Sequence, residues 1–252
     1  MSRWLSLVLV LVVPLGVAAQ EHSEADHHEG LHFSHPLIAE SVSPDTQVRI
    51  DYDFADFGPD ASAQSLGLEL EYAFHRTFGI EAGVPFAWLA FDGQPSTSRL
   101  GNVEVALKFA NYAFEDTGVL LGYGVEFGLP TGSDDAGIGS DHLVEVEPFF
   151  NIGFRQGDWE LVAFTTFGIP TNQEEGEEIE TELVTNFSTL YHVNPRLQLL
   201  LEFDGESVLS GEESGEQTWH LTPGVKFAPV GGSTLFLGVG GGPPSADGGA
   251  RP

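Results

Sequence analysis

Residues 64–75 read QSLGLELEYAFH, and residues 119–129 read VLLGYGVEFGL. In the first, Leu66, Leu68, Leu70, Tyr72 and Phe74 alternate with Gly67, Glu69, Glu71, Ala73 and His75. In the second, Val119, Leu121, Tyr123, Val125, Phe127 and Leu129 alternate with Gly122, Gly124, Glu126 and Gly128. Successive side chains of a strand point to opposite faces, so each stretch has one apolar face and one polar or small face. The same period of two extends outward and marks eleven strands. They lie near residues 46–55, 64–75, 78–90, 101–110, 117–129, 143–154, 159–169, 182–192, 196–204, 217–227 and 233–241. No helical period competes, so the fold class is all-β.

The connections narrow the class. Short turns at 76–77, 111–116, 155–158, 193–195 and 228–232 alternate with longer polar loops at 56–63, 91–100, 130–142, 170–181 and 205–216. An antiparallel up-and-down transmembrane β-barrel keeps this order, with short turns on its periplasmic rim and long loops on its outer rim. A soluble up-and-down barrel or jelly roll, which the strands alone leave open, has no reason to do so. Aromatic residues point the same way. Phe74, Phe78, Phe109, Tyr112, Phe154, Trp159, Tyr191 and Phe227 sit beside the short turns. Phe54, Trp88, Phe91, Phe127, Phe167, Phe203 and Trp219 sit beside the long loops. Lipid interfaces select two such belts.

Cost decides which face meets lipid. Backbone groups in hydrocarbon must all be paired, so the sheet has to close, and its acid-bearing face has to line the lumen. That places Arg49, Asp51, Asp53, Glu69, Glu71, Glu81, Glu104 and Lys108 on the inner wall of the first strands. Glu126, Glu145, Glu147, Asn151, His192, Glu202, His220 and Lys226 line the rest. Pro85, Pro148 and Pro223 each remove a ladder donor and predict bulges or interruptions.

Composition excludes several functions. The chain has 252 residues, 9 Lys+Arg against 38 Asp+Glu, and a net charge of −29. Nucleic acid and anionic headgroups would repel it. The absence of cysteine excludes a disulfide scaffold, Cys-ligated metal and thiol catalysis. At the N-terminus, Arg3, the apolar run Leu5 to Val13 and the small residues Val17-Ala18-Ala19 read as a secretory leader over residues 1–19, with Gln20 as the first mature residue. Residues 20–45 follow as a His- and acid-rich segment, 46–241 as the barrel and 242–252 as a disordered tail.

The strongest local chemical signal is EHSEADHHEGLHFSHP, which gathers His22, His27, His28, His32 and His35 among carboxylates. Imidazoles beside carboxylates suit Zn²⁺, Ni²⁺ or Cu²⁺, though the spacing matches no closed structural site, and a solvated leader is the plainer reading. Since the next strand starts at the short-turn rim, this segment should lie in the periplasm or plug the lumen from below. Acidic loops, with Asp134-Asp135 and Asp141, Glu174 to Glu178, and Glu212-Glu213, lack the ligand spacing of a calcium loop. Divalent ions could bridge them to lipopolysaccharide. Asp134, Asp135, Asp141 and His142, or Ser140 with His142, offer the residue types of outer-membrane hydrolases. No G-x-S-x-G, phosphate loop or HExxH is present, and no enzyme, catalytic residue or cofactor is expected.

Several stretches are familiar as text: GLHFSHPLIAESVSPDTQVRIDYDF at 30–54, GNVEVALKFA at 101–110, FGLPTGS at 127–133, LLEFDGES at 200–207 and LTPGVKFAP at 221–229. The chain resembles the bacterial outer-membrane family of the MetA pathway of phenol degradation. The resemblance implies a barrel of about twelve strands and passage of hydrophobic or aromatic compounds. It breaks after LFLGVG, where GGPPSADGGARP replaces a last strand. Eleven strands would leave an open edge, so either a strand is lost by truncation or frameshift, or Leu31 to Ile38 substitutes for it despite Pro36. The reading is an outer-membrane barrel acting as a passive channel for a small solute. The alternative is a metal-binding outer-membrane or periplasmic barrel protein that uses the His tract.

Overall fold

The computed structural model describes residues 6–14, 31–57, 61–172, 180–211, 214–229 and 236–241. The eleven alternating runs all form antiparallel strands. They are β2 (Gln47–Asp56), β3 (Ala61–His75), β4 (Phe78–Phe91), β5 and β6 (Thr97–Leu100 and Val103–Asn111), β7 (Val119–Leu129), β8 (Val144–Gln156), β9 (Trp159–Thr171), β10 (Glu182–Asn194), β11 (Leu197–Val208), β12 (Gln217–Phe227) and β13 (Phe236–Gly240). β5 and β6 are one wall strand broken at Gly101-Asn102. Their register against β4 slips there, from Phe86 opposite Leu100 to Gly83 opposite Glu104. The break faces Pro85, whose carbonyl accepts from the Gly101 N–H at 2.9 Å. Pro148 likewise interrupts the β8–β9 ladder between Val146 and Phe149. Pro223 lies just beyond the last β12–β13 pair, Gly224 with Gly240.

A twelfth strand closes the barrel, and it comes from the N-terminal end. Residues Ser6–Pro14, the apolar run read as a leader, form β1. β1 pairs with β2 from Ser6 opposite Ala55 to Pro14 opposite Gln47. Its other edge pairs with β13 from Val8 opposite Gly240 to Val12 opposite Phe236. Leu31 to Ile38, the substitute considered from sequence, forms no ladder and lies inside the lumen. The exchange has a physical cause. Val10 and Val12 point inward and pack with Leu37, Leu190 and Leu200, while Leu9 and Val13 are exposed on the outer face. A strand at this seam must be apolar on both sides, as the LVLVLVV run is.

The oily face looks outward. Leu66, Leu68, Leu70, Tyr72 and Phe74 are 40% to 62% exposed, and Leu199, Leu201 and Phe203 continue the band on β11. A band of this extent marks a lipid-facing surface. At the short-turn rim the rings of Tyr72, Phe74, Phe78, Phe109 and Tyr123 touch in series, with centroids 4.9 to 5.6 Å apart. At the long-loop rim Phe203 stacks on Trp219 at 4.9 Å. Tyr112 is a correction to the belt read from sequence. It packs against the inner cluster around Phe33, with the Arg76 guanidinium 4.3 Å from its ring centre.

Without β1, both β2 and β13 would present unpaired backbone to lipid. Closed barrels are therefore expected to contain residues 6–14. The intact mass of the heat-modifiable species recovered from outer membranes checks this. A closed barrel beginning at Gln20 would show that the seam closes in another way.

Candidate functional site: the occupied lumen

Residues 31–45 rise from the short-turn rim into the barrel and return to β2. They carry no regular secondary structure, so their backbone needs partners that a ladder would otherwise supply. The wall supplies them. Glu202 accepts from the N–H groups of Leu37 at 3.0 Å, Ile38 at 3.2 Å and Ala39 at 3.5 Å, and from Ser188 Oγ at 2.7 Å. Glu160 accepts from the Ser34 N–H at 2.9 Å and from His192 Nε2 at 2.8 Å. Glu71 accepts from the Asp45 N–H at 2.9 Å and from Gln47 Nε2 at 3.0 Å. Basic and amide groups take the carbonyls. Arg49 donates to the Leu37 carbonyl at 2.6 Å, Asn151 to that of Ser41 at 2.9 Å, Arg155 to that of His32 at 3.0 Å, and Lys226 to that of His35. Hydrogen bonds to charged groups contribute about 1.5–3 kcal/mol each, so this segment is firmly seated.

Its side chains fill sockets made by strand glycines. The tip of the Phe33 ring fills the space beside Gly153, where a Cβ would come within 2.6 Å of it, and Leu37 occupies the space left by Gly224, Gly238 and Gly240. Phe33 and Leu37 are fully buried, and burial of such a side chain stabilises by about 1.5–3 kcal/mol. The segment is a plug.

The wall residues singled out in the sequence fall into two levels. Arg49, Glu71, Lys108, Asn151, Glu202 and Lys226 hold the plug, His192 supports it through Glu160 at 2.8 Å, and Glu81 is tied in through Lys108 at 3.0 Å. Above lie Asp51, Asp53, Glu69, Glu104, Glu126, Glu145 and Glu147, all half-buried. His220 Nδ1 lies 3.3 Å from Asp204 on the neighbouring strand. Among the upper acids an inward aromatic pair, Phe149 and Phe164, has centroids 5.7 Å apart. A cavity of about 260 Å³ separates the plug from the β2–β4 wall and is lined by Leu37, Ile38, Arg49, Asp51, Asp53, Ser65, Gly67 and Pro85. Sequence reasoning missed Glu160, Phe149 and Phe164, although they share the inward parity of Glu147, Asn151 and Thr166. It also missed the glycine sockets, which only the plug's position makes meaningful.

The family model that matches residues 47–243 carries the description "Putative MetA-pathway of phenol degradation". The chain belongs to this family. Among solved structures this family member is similar to the COG4313 outer membrane channel from Pseudomonas putida F1, with a TM-score of 0.53 and 11% identity over 97% of this chain and 96% of that one. At that identity the likeness speaks for the fold: a closed twelve-stranded barrel of the outer-membrane type. No curated protein matches the chain.

His22, His27 and His28 lie outside the described residues. His32 and His35 converge on one carboxylate, with Nε2 atoms 2.9 and 3.2 Å from the two oxygens of Asp45. The hydrogen bond to Asp45 raises the His32 pKa above its usual value, whereas burial pushes His35 down to about 4. His35 Nε2 also lies 2.7 Å from the Gln47 amide, so a metal there would have to displace existing partners. Burial of Glu40 works against its charge, but Lys108 and Arg49 outweigh it and hold that carboxyl down at about 2. Among the described residues two other groups have the spacing of metal ligands: Asp134, Asp141 and His142 in an outer loop, and Glu40, Glu69 and Glu81 in the lumen. The loop group does not have the geometry of a catalytic triad. Ser140 Oγ and Asp134 Oδ2 both lie against Nδ1 of His142, at 3.2 and 3.0 Å, whereas a triad needs them on opposite ring nitrogens.

The cysteine-free chain allows a direct probe of the plug. A lone Ser41→Cys, at a position with no solvent exposure, is expected to resist maleimide in closed barrels. Adding Gly153→Val should push Phe33 from its socket and raise the labelling rate about tenfold or more, an effect of ~1.4 kcal/mol. Equal rates in the two proteins would show that the glycine sockets do not retain the segment.

Proposed function

We propose that this outer-membrane barrel is a passive channel for small hydrophobic or aromatic compounds, which enter at the long-loop rim and pass toward the periplasm. The observation that carries the reading is the upper lumen. An aromatic pair and a cavity with an apolar floor, Leu37 and Ile38, lie inside a wall that otherwise bears acids. A ring can pack on Phe149 and Phe164 while the surrounding carboxylates keep the path wetted. The family's description and the name of the similar channel support the same reading. Such passage needs no cofactor and no catalytic residue. Its surroundings would be outer-membrane lipid and lipopolysaccharide, with divalent ions between the acidic outer loops and the lipid phosphates. A net charge of −29 argues against nucleic acid as a partner.

A leader cut after Ala19 is the other reading of the N-terminal residues; it would remove β1, so the intact mass of the closed barrel decides between cleavage and retention of the closing strand. Conduction also requires room beside or in place of residues 31–45.

Planar bilayers and liposome swelling test the proposal. Wild-type barrels should admit neutral aromatic solutes, and Phe149→Ala with Phe164→Ala should lower that flux severalfold relative to glycerol. Acid rings favour cations, so Glu145→Gln with Glu147→Gln should shift the reversal potential toward zero selectivity. Absence of aromatic flux even after deletion of residues 31–44 would end the channel reading.

A further inference from the structure

The glycines of the inner wall meet different neighbours. A Cβ on Gly153 would strike the Phe33 ring, and one on Gly224, Gly238 or Gly240 would strike Leu37, each within 2.8 Å. Gly122 and Gly124 are covered in the same way by Asn151 and Phe149. A Cβ on Gly67 would meet only the side chain of Asp51, at ordinary contact distances of 3.7 and 3.8 Å. Gly67 lies opposite Asp51 of β2 and Pro85 of β4, and it lines the cavity of about 260 Å³ between the plug and the wall. Beside Gly67 the wall is recessed, and the protein leaves that recess open.

Apolar and charged groups share the lining of this cavity. Leu37, Ile38 and Pro85 offer apolar surface, while Arg49, Asp51 and Asp53 follow one another up the inner face of β2. The guanidinium is already engaged. It donates to Asp51 at 2.8 Å and to the Leu37 carbonyl at 2.6 Å, and Glu40 and Glu69 lie 3.8 and 3.9 Å from its NH1. Asp53 differs. Its Oδ2 accepts from Ser65 Oγ at 3.2 Å, and among the described residues no base lies within ion-pair distance of it. Asp53 and Ser65 are half-buried and sit near the long-loop ends of β2 and β3, the side from which a solute would arrive.

We propose that this cavity binds a small primary amine, an ammonium carried on one aromatic ring or a short apolar chain. The proposal rests on the channel reading and names a solute class for it. The volume suits one ring, since about 150 Å³ is enough for benzene and drug-sized ligands need about 300–1,000 Å³. The apolar body packs on Leu37, Ile38 and Pro85, and the missing side chain of Gly67 lets it approach the wall. An ammonium has three donors and no acceptor, which matches Asp53, Asp51 and the Ser65 hydroxyl. A carboxylate of the same size would face Asp51 and Asp53 while Arg49 is held elsewhere, and an alcohol would lose the ion pair. The cavity therefore sorts solutes of equal size by charge.

Calorimetric titration of the full chain in detergent at neutral pH tests the site with benzylamine, which is protonated there, and with benzyl alcohol and benzoate, which share its size. One benzylamine per chain is expected, with benzyl alcohol about tenfold or more weaker and benzoate not bound. Gly67→Leu fills the recess and should remove benzylamine binding. Asp53→Asn keeps the shape and should weaken benzylamine about tenfold or more while leaving benzyl alcohol unchanged, a split that loss of structure would not give. Undiminished benzylamine binding in either variant, equal affinity for the amine and the alcohol, or no saturable binding up to about 10 mM overturns the proposal. If Gly67→Leu does not yield a heat-modifiable barrel, Asp53→Asn carries the test alone. Liposome swelling keeps the two readings apart. Aromatic flux without a benzylamine site strikes only this proposal, whereas a benzylamine site without flux strikes the channel reading.

Discussion

Hydrocarbon offers no hydrogen bonds, and that single constraint organises this molecule. Every backbone N–H and C=O in the membrane band must find a partner within the protein, which forces the sheet to close on itself. Closure explains why a run as uniformly apolar as residues 6–14 becomes a strand. It is the piece that satisfies both β2 and β13, and its two faces match lipid on one side and the plug's Leu37 on the other. Closure also fixes where the acids go. A carboxylate on the outer face of the membrane band would meet acyl chains, so the acids of the strand interiors are driven into a narrow lumen.

A lumen crowded with carboxylates poses a second problem, and the plug answers part of it. Glu71, Glu160 and Glu202 would be poorly solvated in a confined space, but each accepts from backbone N–H groups of residues 34–45. The plug in turn could not leave water without them, because it has no internal ladder. Wall charge and plug backbone therefore desolvate together. Among the described residues the upper acids accept from no plug N–H, and this division separates a lower half packed against the plug from an upper half whose acids are half-buried.

The outer-loop group illustrates how local chemistry can mislead. Ser140, His142 and Asp134 are in contact, yet Ser140 and Asp134 crowd one ring nitrogen, which is not the arrangement of a triad. The His tract behaves similarly. Its two described members share Asp45 and help fasten the plug's return to β2.

The strands, their inward and outward faces, the alternation of connections and the sign of the lumen charge were legible in the sequence, because each follows from a period of two and from the cost of charge in lipid. The breaks at Pro85 and Pro148 were legible for the same local reason, a missing N–H. The closing strand was not, since a run apolar on both faces carries no period and reads equally well as a leader. Nor was the role of Glu202, Glu160 or Gly153, because nothing local distinguishes a wall residue that faces water from one that faces a segment more than a hundred residues away. Pairing across the seam and seating of the plug are long-range events. Only the folded chain, which brings residues 6–14 to 236–240 and Phe33 to Gly153, decides them.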